Sequence, residues 1–207
     1  MPLADAIRPR TLDEVCGQKH LLAKGAPLRR IIESGHVPSL IFYGPPGTGK
    51  TTLADILAAI TNKQFFRLNA TTASLSDVKD ALDASGTLAG MGGTLLYIDE
   101  LQYFNKRQQQ SLLEYMEDGR VTLVGSTTEN PYFAINSPLL SRSQVFPMEP
   151  VPEEELAALL KRALADEVRG LGTSRVDMEA EALNHLAAKA DGDARKALTA
   201  LEVAVLS

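Results

Sequence analysis

The sequence predicts an α/β fold, a five-stranded parallel sheet flanked by helices, followed by an all-helical stretch. Three observations predict it. Short apolar runs rich in β-branched or aromatic residues alternate with helical patterns over residues 39–148, as buried parallel strands joined by right-handed crossovers do. A glycine-rich turn joins the first run to the helix after it. Beyond Glu149-Pro150-Val151-Pro152 only helical periodicity remains, and two prolines in four residues interrupt either element type. The expected domains are an α/β domain over 1–150 and a helical domain over 151–207.

The strand candidates are 39–43 (SLIFY), 65–69 (FFRLN), 94–98 (TLLYI) and 121–125 (VTLVG), with a weaker fifth at 144–148. Each is too short for a stable helix and suited to a buried strand. Helices are expected over 28–34, opened by Pro27, and over 50–61, 76–84 and 106–117. The C-terminal part reads as helices over 152–169, 178–190 and 194–206, with a loop at 170–174. Pro152 followed by three glutamates is a strong helix start, because the acids face the positive end of the helix dipole. The last helix stops at Ser207 without a capping glycine, as expected of a chain cut inside or just after that helix, or of a short frayed terminus.

Composition narrows the function classes. Of 207 residues, 44% are hydrophobic and 23% charged, which excludes a disordered chain, a collagen-like chain and a coiled-coil rod. The net charge of −5 excludes a bulk polyanion binder, so nucleic-acid contact has to come from a local patch. With no Trp and 5% aromatics, a large base-stacking platform is not expected. The single cysteine, Cys16, allows no intrachain disulfide and fits a reducing compartment. No apolar run approaches the ~20 residues that span a bilayer, and the N-terminus carries charges where a signal peptide needs an apolar core. The expectation is a cytoplasmic protein with no membrane partner. His20, His36 and His185 have no metal-ligand spacing. A stretch around Met91, with glycines at 86, 90, 92 and 93, is a candidate DNA-contacting loop.

Gly44-Pro45-Pro46-Gly47-Thr48-Gly49-Lys50-Thr51, followed by Thr52, matches G-x-x-x-x-G-K-[ST] between a strand and a helix, the context that gives the motif meaning. Glycines let the backbone curl so that successive N–H groups cradle an anion, and the helix start adds its positive dipole end. Lys50 then serves the β- and γ-phosphates of ATP, and the Thr51 hydroxyl a Mg²⁺ ion. Leu95-Leu96-Tyr97-Ile98-Asp99-Glu100 delivers two acids to the C-terminal end of a strand, where open α/β sheets bind ligands. Asp99 is the second Mg²⁺ candidate, and Glu100 the residue that polarises an attacking water. The fourth run ends in Ser126-Thr127-Thr128-Glu129-Asn130. A polar side chain there lies between the acids and the phosphate loop; Thr128 is the first choice and Thr127 the second.

These parts, followed by a helical lid, resemble the AAA+ ATPases. Arg8-Pro9 with Leu12, Val15 and Gly17-Gln18-Lys19-His20-Leu21 is similar to the N-terminal box of clamp-loader-like members. Gly125–Pro131, Asn136-Ser137-Pro138-Leu139-Leu140-Ser141-Arg142 and Phe104-Asn105-Lys106 resemble one family, the replication-associated recombination protein A (RarA, or MgsA) family, related to Werner-helicase-interacting protein. The resemblance implies an ATP-hydrolysing motor domain acting on DNA at stalled forks or single/double-strand junctions. It implies Arg142 as an arginine finger reaching a neighbour's nucleotide and Arg195 as the lid residue that contacts the γ-phosphate. It implies Val15, Cys16 and Leu21 around the adenine, with Cys16 equally readable as a small core residue. Asn69 matches the position that restrains the catalytic glutamate in related enzymes. Full-length members are expected to be tetramers, with single-stranded-DNA-binding protein among the partners; without the C-terminal helical region the chain is expected to be monomeric and to hydrolyse ATP slowly. The alternative is a clamp-loader-like accessory module that binds ATP and scarcely hydrolyses it. A branch-migration motor of Holliday-junction type shares the site logic, but the Asn-Pro and Ser-Pro-Leu-Leu-Ser-Arg pattern disfavours it. The chain departs from the family where His-Arg usually follow the acidic pair: here Gln102 and Tyr103 stand, with up to two fewer positive charges beside Glu100.

Overall fold

The computed structural model describes residues 1–86 and 93–207; the candidate loop at Met91 lies outside them. In chain order the elements are α1 (Leu3–Ala6), α2 (Lys19–Leu22), α3 (Pro27–Glu33), β1 (Leu40–Tyr43), α4 (Lys50–Thr61), β2 (Gln64–Asn69), α5 (Leu75–Gly86), β3 (Thr94–Asp99), α6 (Lys106–Glu117), β4 (Val121–Thr127), α7 (Pro131–Ala134), α8 (Ser137–Ser141), β5 (Gln144–Pro147), α9 (Glu153–Ala165), α10 (Ala180–Ala190) and α11 (Ala194–Leu206). Single 3₁₀ turns occur at Leu12–Glu14, Leu101–Tyr103 and Gly172–Ser174.

All five strands pair in parallel, in the order β2-β3-β4-β1-β5. The expected sheet is therefore present, with each strand within two residues of its apolar run. β3 and β4 are nearly wholly buried, while the edge strands β2 and β5 carry exposed residues, as polar edges that resist further pairing should. The order places β4 between β1, whose tip opens the phosphate loop, and β3, whose tip carries the acids.

The chain forms two compact units. One contains His20–Gly44 and Leu53–Pro147, hence the sheet; the other contains Met1–Lys19, Pro45–Thr52 and Met148–Ser207. In the sheet unit Ile41, Leu96, Ile98, Leu123 and Leu101 centre an apolar core with Phe104, Leu112 and Leu139. Asn105 starts α6 with a capping box: its side chain accepts from Gln108 N and the Gln108 side chain accepts from Asn105 N, each at 2.9 Å. One turn in, Gln109 is 2% exposed. Its amide donates to Phe104 O (2.9 Å) and Ala134 O (3.3 Å) and accepts from Asn136 N (2.7 Å), splicing the loop after β3 to the segment before α8.

In the second unit, α9, α10 and α11 pack through Leu156, Leu160, Ala187 and Leu201, and the N-terminal Leu3 and Ile7 join that cluster. The Leu3 amide donates to both carboxylate oxygens of Glu202 at 3.2 Å. The helix expected over 152–169 ends at Ala165. Asp166 stops it: its carboxylate accepts from Val168 N (2.9 Å) and Arg169 N (2.8 Å), and Leu171 N turns back to Ala163 O at 2.8 Å. Gly170 is required in that return, since a Cβ there would stand 2.1 Å from the Ala163 carbonyl oxygen.

Candidate functional site

In the second unit the loop from Pro45 to Thr52 is curled. Gly47 and Gly49 adopt φ of +70° and +103°, values open to glycine and costly to other residues. The curl closes on itself: Thr48 Oγ1 donates to Pro45 O at 2.9 Å, and the Lys50 ammonium donates to the same carbonyl at 2.6 Å. Lys50 is 8% exposed. Gln18, 3% exposed, braces the loop from the N-terminal segment. Its Nε2 donates to Thr48 O (3.2 Å) and Glu149 O (2.7 Å), and its Oε1 accepts from Glu149 N (2.9 Å). Its bracing role was not read from the sequence, although it stands inside the Gly17–Leu21 box; only its burial reveals it.

The start of α11 meets this loop. Ala194 N donates to Gly47 O at 3.0 Å, and Asp193 caps the helix by accepting from Lys196 N at 2.9 Å. The Asp193 carboxylate lies where a Gly47 side chain would begin: a Cβ there would be 1.8 Å from its Oδ1. Arg195, one residue into the first turn, is exposed. The phosphate loop and Arg195 are thus brought together within one unit. Cys16 is partly buried against the helical cluster, with Sγ 3.7 Å from Glu155 O, and burial raises its thiol pKa above the ordinary value. Val15 beside it is half-buried, and Leu21, in the sheet unit, is 3% exposed.

In the sheet unit the acids sit at the end of β3. Asp99 Oδ1 accepts from the Ser126 hydroxyl, from Glu100 N at 3.1 Å and from Tyr97 OH at 3.3 Å. Those hydrogen bonds hold Oδ1 and orient the carboxylate at the strand tip, and a carboxylate oxygen is the kind of ligand a hard cation takes. Glu100 has φ 55° and ψ 48°, a left-handed conformation that costs a non-glycine residue about 1 kcal/mol or more. Bonds from its amide to Asp99 Oδ1 and to Ser126 Oγ (3.3 Å) hold it there. Glu100 Oε2 meets the Gln102 amide and, at 3.4 Å, the Thr128 hydroxyl. Gln102 Nε2 is also 3.3 Å from Thr128 Oγ1.

Thr127 turns inward and is fully buried, its Oγ1 shared with Glu129 N and O; Thr128 faces Glu100. Among the described residues no hydrogen bond joins Asn69 to Glu100. Asn69 Oδ1 accepts from Thr71 N (2.9 Å) and Thr71 Oγ1 (2.6 Å), a local Asx turn that engages that oxygen. Arg142 follows α8 and pairs with Glu117 at 2.6 Å, both half-exposed. Among the described residues no three His, Cys, Asp or Glu side chains form a ready cation cage.

The family described as "ATPase family associated with various cellular activities (AAA)" matches residues 40–149. The replication-associated recombination protein A of Haemophilus influenzae is 43% identical over 205 residues, covering 99% of this chain and 46% of that protein. The ATPase WRNIP1 of Dictyostelium discoideum is 42% identical over 205 residues, covering 99% of this chain and 23% of that protein. The chain therefore spans about half the length of the bacterial relative. Among solved structures, the Holliday junction branch migration motor RuvB of Thermotoga maritima superposes with a TM-score of 0.75 at 28% identity, covering 95% of this chain and 64% of that one.

Proposed function

The chain belongs to the AAA family of ATPases, and from that premise we propose that it is the ATP-hydrolysing motor domain of a replication and recombination maintenance protein acting on DNA at stalled forks. Support comes above all from the curled loop, in which Lys50 already places its ammonium on the carbonyl of Pro45, as it would on a phosphate oxygen. Gly44 to Thr52 cradle the phosphates, since every side chain the curl would exclude is absent at Gly47 and Gly49. Thr51 and Asp99 are the residues that would hold Mg²⁺, which when bound neutralises charge on the β- and γ-phosphates. Glu100 accepts a hydrogen bond from the attacking water, and Thr128 flanks it. Arg195 contacts the γ-phosphate from the start of α11, Val15, Cys16 and Leu21 border the adenine, and residues 151–207 act as the helical lid of the 1–150 α/β domain.

Arg142 serves the nucleotide of a neighbouring copy in a homo-oligomer, a tetramer in the whole protein. For that it leaves Glu117, at little cost, because an exposed pair is worth about 0–1 kcal/mol. Forked or junction DNA and single-stranded-DNA-binding protein are the proposed partners, on the strength of the relatives named for replication and recombination. The test is hydrolysis and nucleotide binding measured side by side. Glu100→Gln should lower turnover by about 100-fold or more while ATP affinity by calorimetry stays within about threefold, and Lys50→Ala should lose binding. A Glu100→Gln variant as fast as wild type refutes the assignment, and a rate indifferent to forked DNA refutes the DNA part.

A further inference from the structure

Among the described residues, every hydrogen bond to the Glu100 carboxylate falls on one oxygen. Oε2 receives the Gln102 amide and, at longer range, the Thr128 hydroxyl, while no described residue bonds Oε1. The Gln102 amide has committed to this contact at a loss elsewhere. Its own Oε1 is buried and has no hydrogen-bond partner among the described residues. Turning the amide over would aim that oxygen at the carboxylate and bring two acceptors together, so the carboxylate decides which way the amide faces.

The backbone makes the contact hard to avoid. Glu100 is held left-handed, the next three residues form a 3₁₀ turn, and Leu101 is fully buried against Gly125, where an added Cβ would come within 2.8 Å of Leu101 Cδ2. Tyr103 N and Phe104 N close the turn on Glu100 O (3.0 Å) and Leu101 O (3.1 Å). With Leu101 packed inward and Tyr103 62% exposed, the turn leaves Gln102 beside the carboxylate. Asn69, the residue the resemblance offered for that place, is engaged with Thr71.

We infer that Gln102 is a positioning residue for the proposed hydrolysis: its side-chain N–H fixes Glu100 by Oε2 and so presents Oε1 to the water. This rests on the reading of Glu100 given above. A neutral amide suits the task, because it orients the carboxylate without neutralising it as an ion pair would.

The test is single-turnover hydrolysis of bound ATP by the full 207-residue chain in excess over nucleotide, which separates the hydrolytic step from binding. Gln102→Met keeps the length and apolar stem but has no donor. It should slow hydrolysis about tenfold with ATP affinity unchanged within about twofold, and Gln102→His, which restores an N–H, should recover most of the loss. Urea unfolding of each variant shows whether the turn survives. Gln102→Met hydrolysing at or above the wild-type rate overturns the inference, as does Asn69→Ala slowing hydrolysis more than Gln102→Met with affinity intact. If Glu100→Gln itself hydrolyses normally, the failure lies in the reading of Glu100 instead.

Discussion

Gly47→Ala probes the contact between the phosphate loop and the start of α11. Two costs can be worked from the structure. At φ +70° a Cβ brings the left-handed penalty, about 1–2 kcal/mol. The same Cβ would lie 1.8 Å from Asp193 Oδ1, so the carboxylate has to swing away, and the cap it makes on Lys196 N is lost, about 1 kcal/mol. Together these come to about 2–3 kcal/mol, a fall in Tm of about 5–10 °C for a chain of this size. The assay is a double-mutant cycle by urea unfolding. Asp193→Ala alone should cost about 1 kcal/mol. In its background, where no carboxylate remains to displace, Gly47→Ala should cost only the backbone strain, leaving a coupling of about 1 kcal/mol. Two substitutions that add to within about 0.3 kcal/mol would refute the argument that Asp193 occupies the space above Gly47.

The other predictions concern the two units separately. Gln109→Leu keeps the bulk of a 2%-exposed side chain but strips partners from the backbone of Phe104, Ala134 and Asn136, and should destabilise by about 2–4 kcal/mol in urea unfolding; a change below about 1 kcal/mol contradicts the splice. Asp166, with its carboxyl pKa lowered chiefly by the Arg169 and Val168 amides, contributes stability that is present above its unfolded pKa of about 3.9 and is lost as pH falls through the lower folded value. Asp166→Asn should therefore flatten the acid limb of the stability–pH curve below about pH 4, and an unchanged limb argues against the turn at 166–171.

The strands were readable because burial on both faces leaves continuous apolar runs, and TLLYI and VTLVG could hardly be anything else. The phosphate loop was readable because its curl needs glycine at fixed places. α6 was legible to the residue, since Asn105 and Gln108 announce its start locally. What escaped depends on distant partners or on very short elements. α7 and α8 have four and five residues, too few for a helical period to repeat. α9 was overextended because Asp166, an ordinary residue in a helical pattern, becomes a stop only when Gly170 lets the chain return to Ala163. The left-handed Glu100 and the turn that aims Gln102 depend on Ser126 and Gly125, from a strand more than twenty residues on. The packing of Leu3 and Ile7 against α9–α11 is likewise invisible to any local pattern.

Two of the attachments of the segment leading to Arg142 differ in kind. At Asn136 it is fastened by the uncharged Gln109 amide, which neither titrates nor is screened by salt. At its far end the guanidinium pairs directly with Glu117 at 2.6 Å, both half-exposed, and a surface ion pair of this kind weakens as salt rises. Rising salt therefore loosens the hold of Glu117, leaving the guanidinium its 3.3 Å bond to the Pro138 carbonyl, while the mooring at Asn136 stays put and the loop beneath does not come adrift.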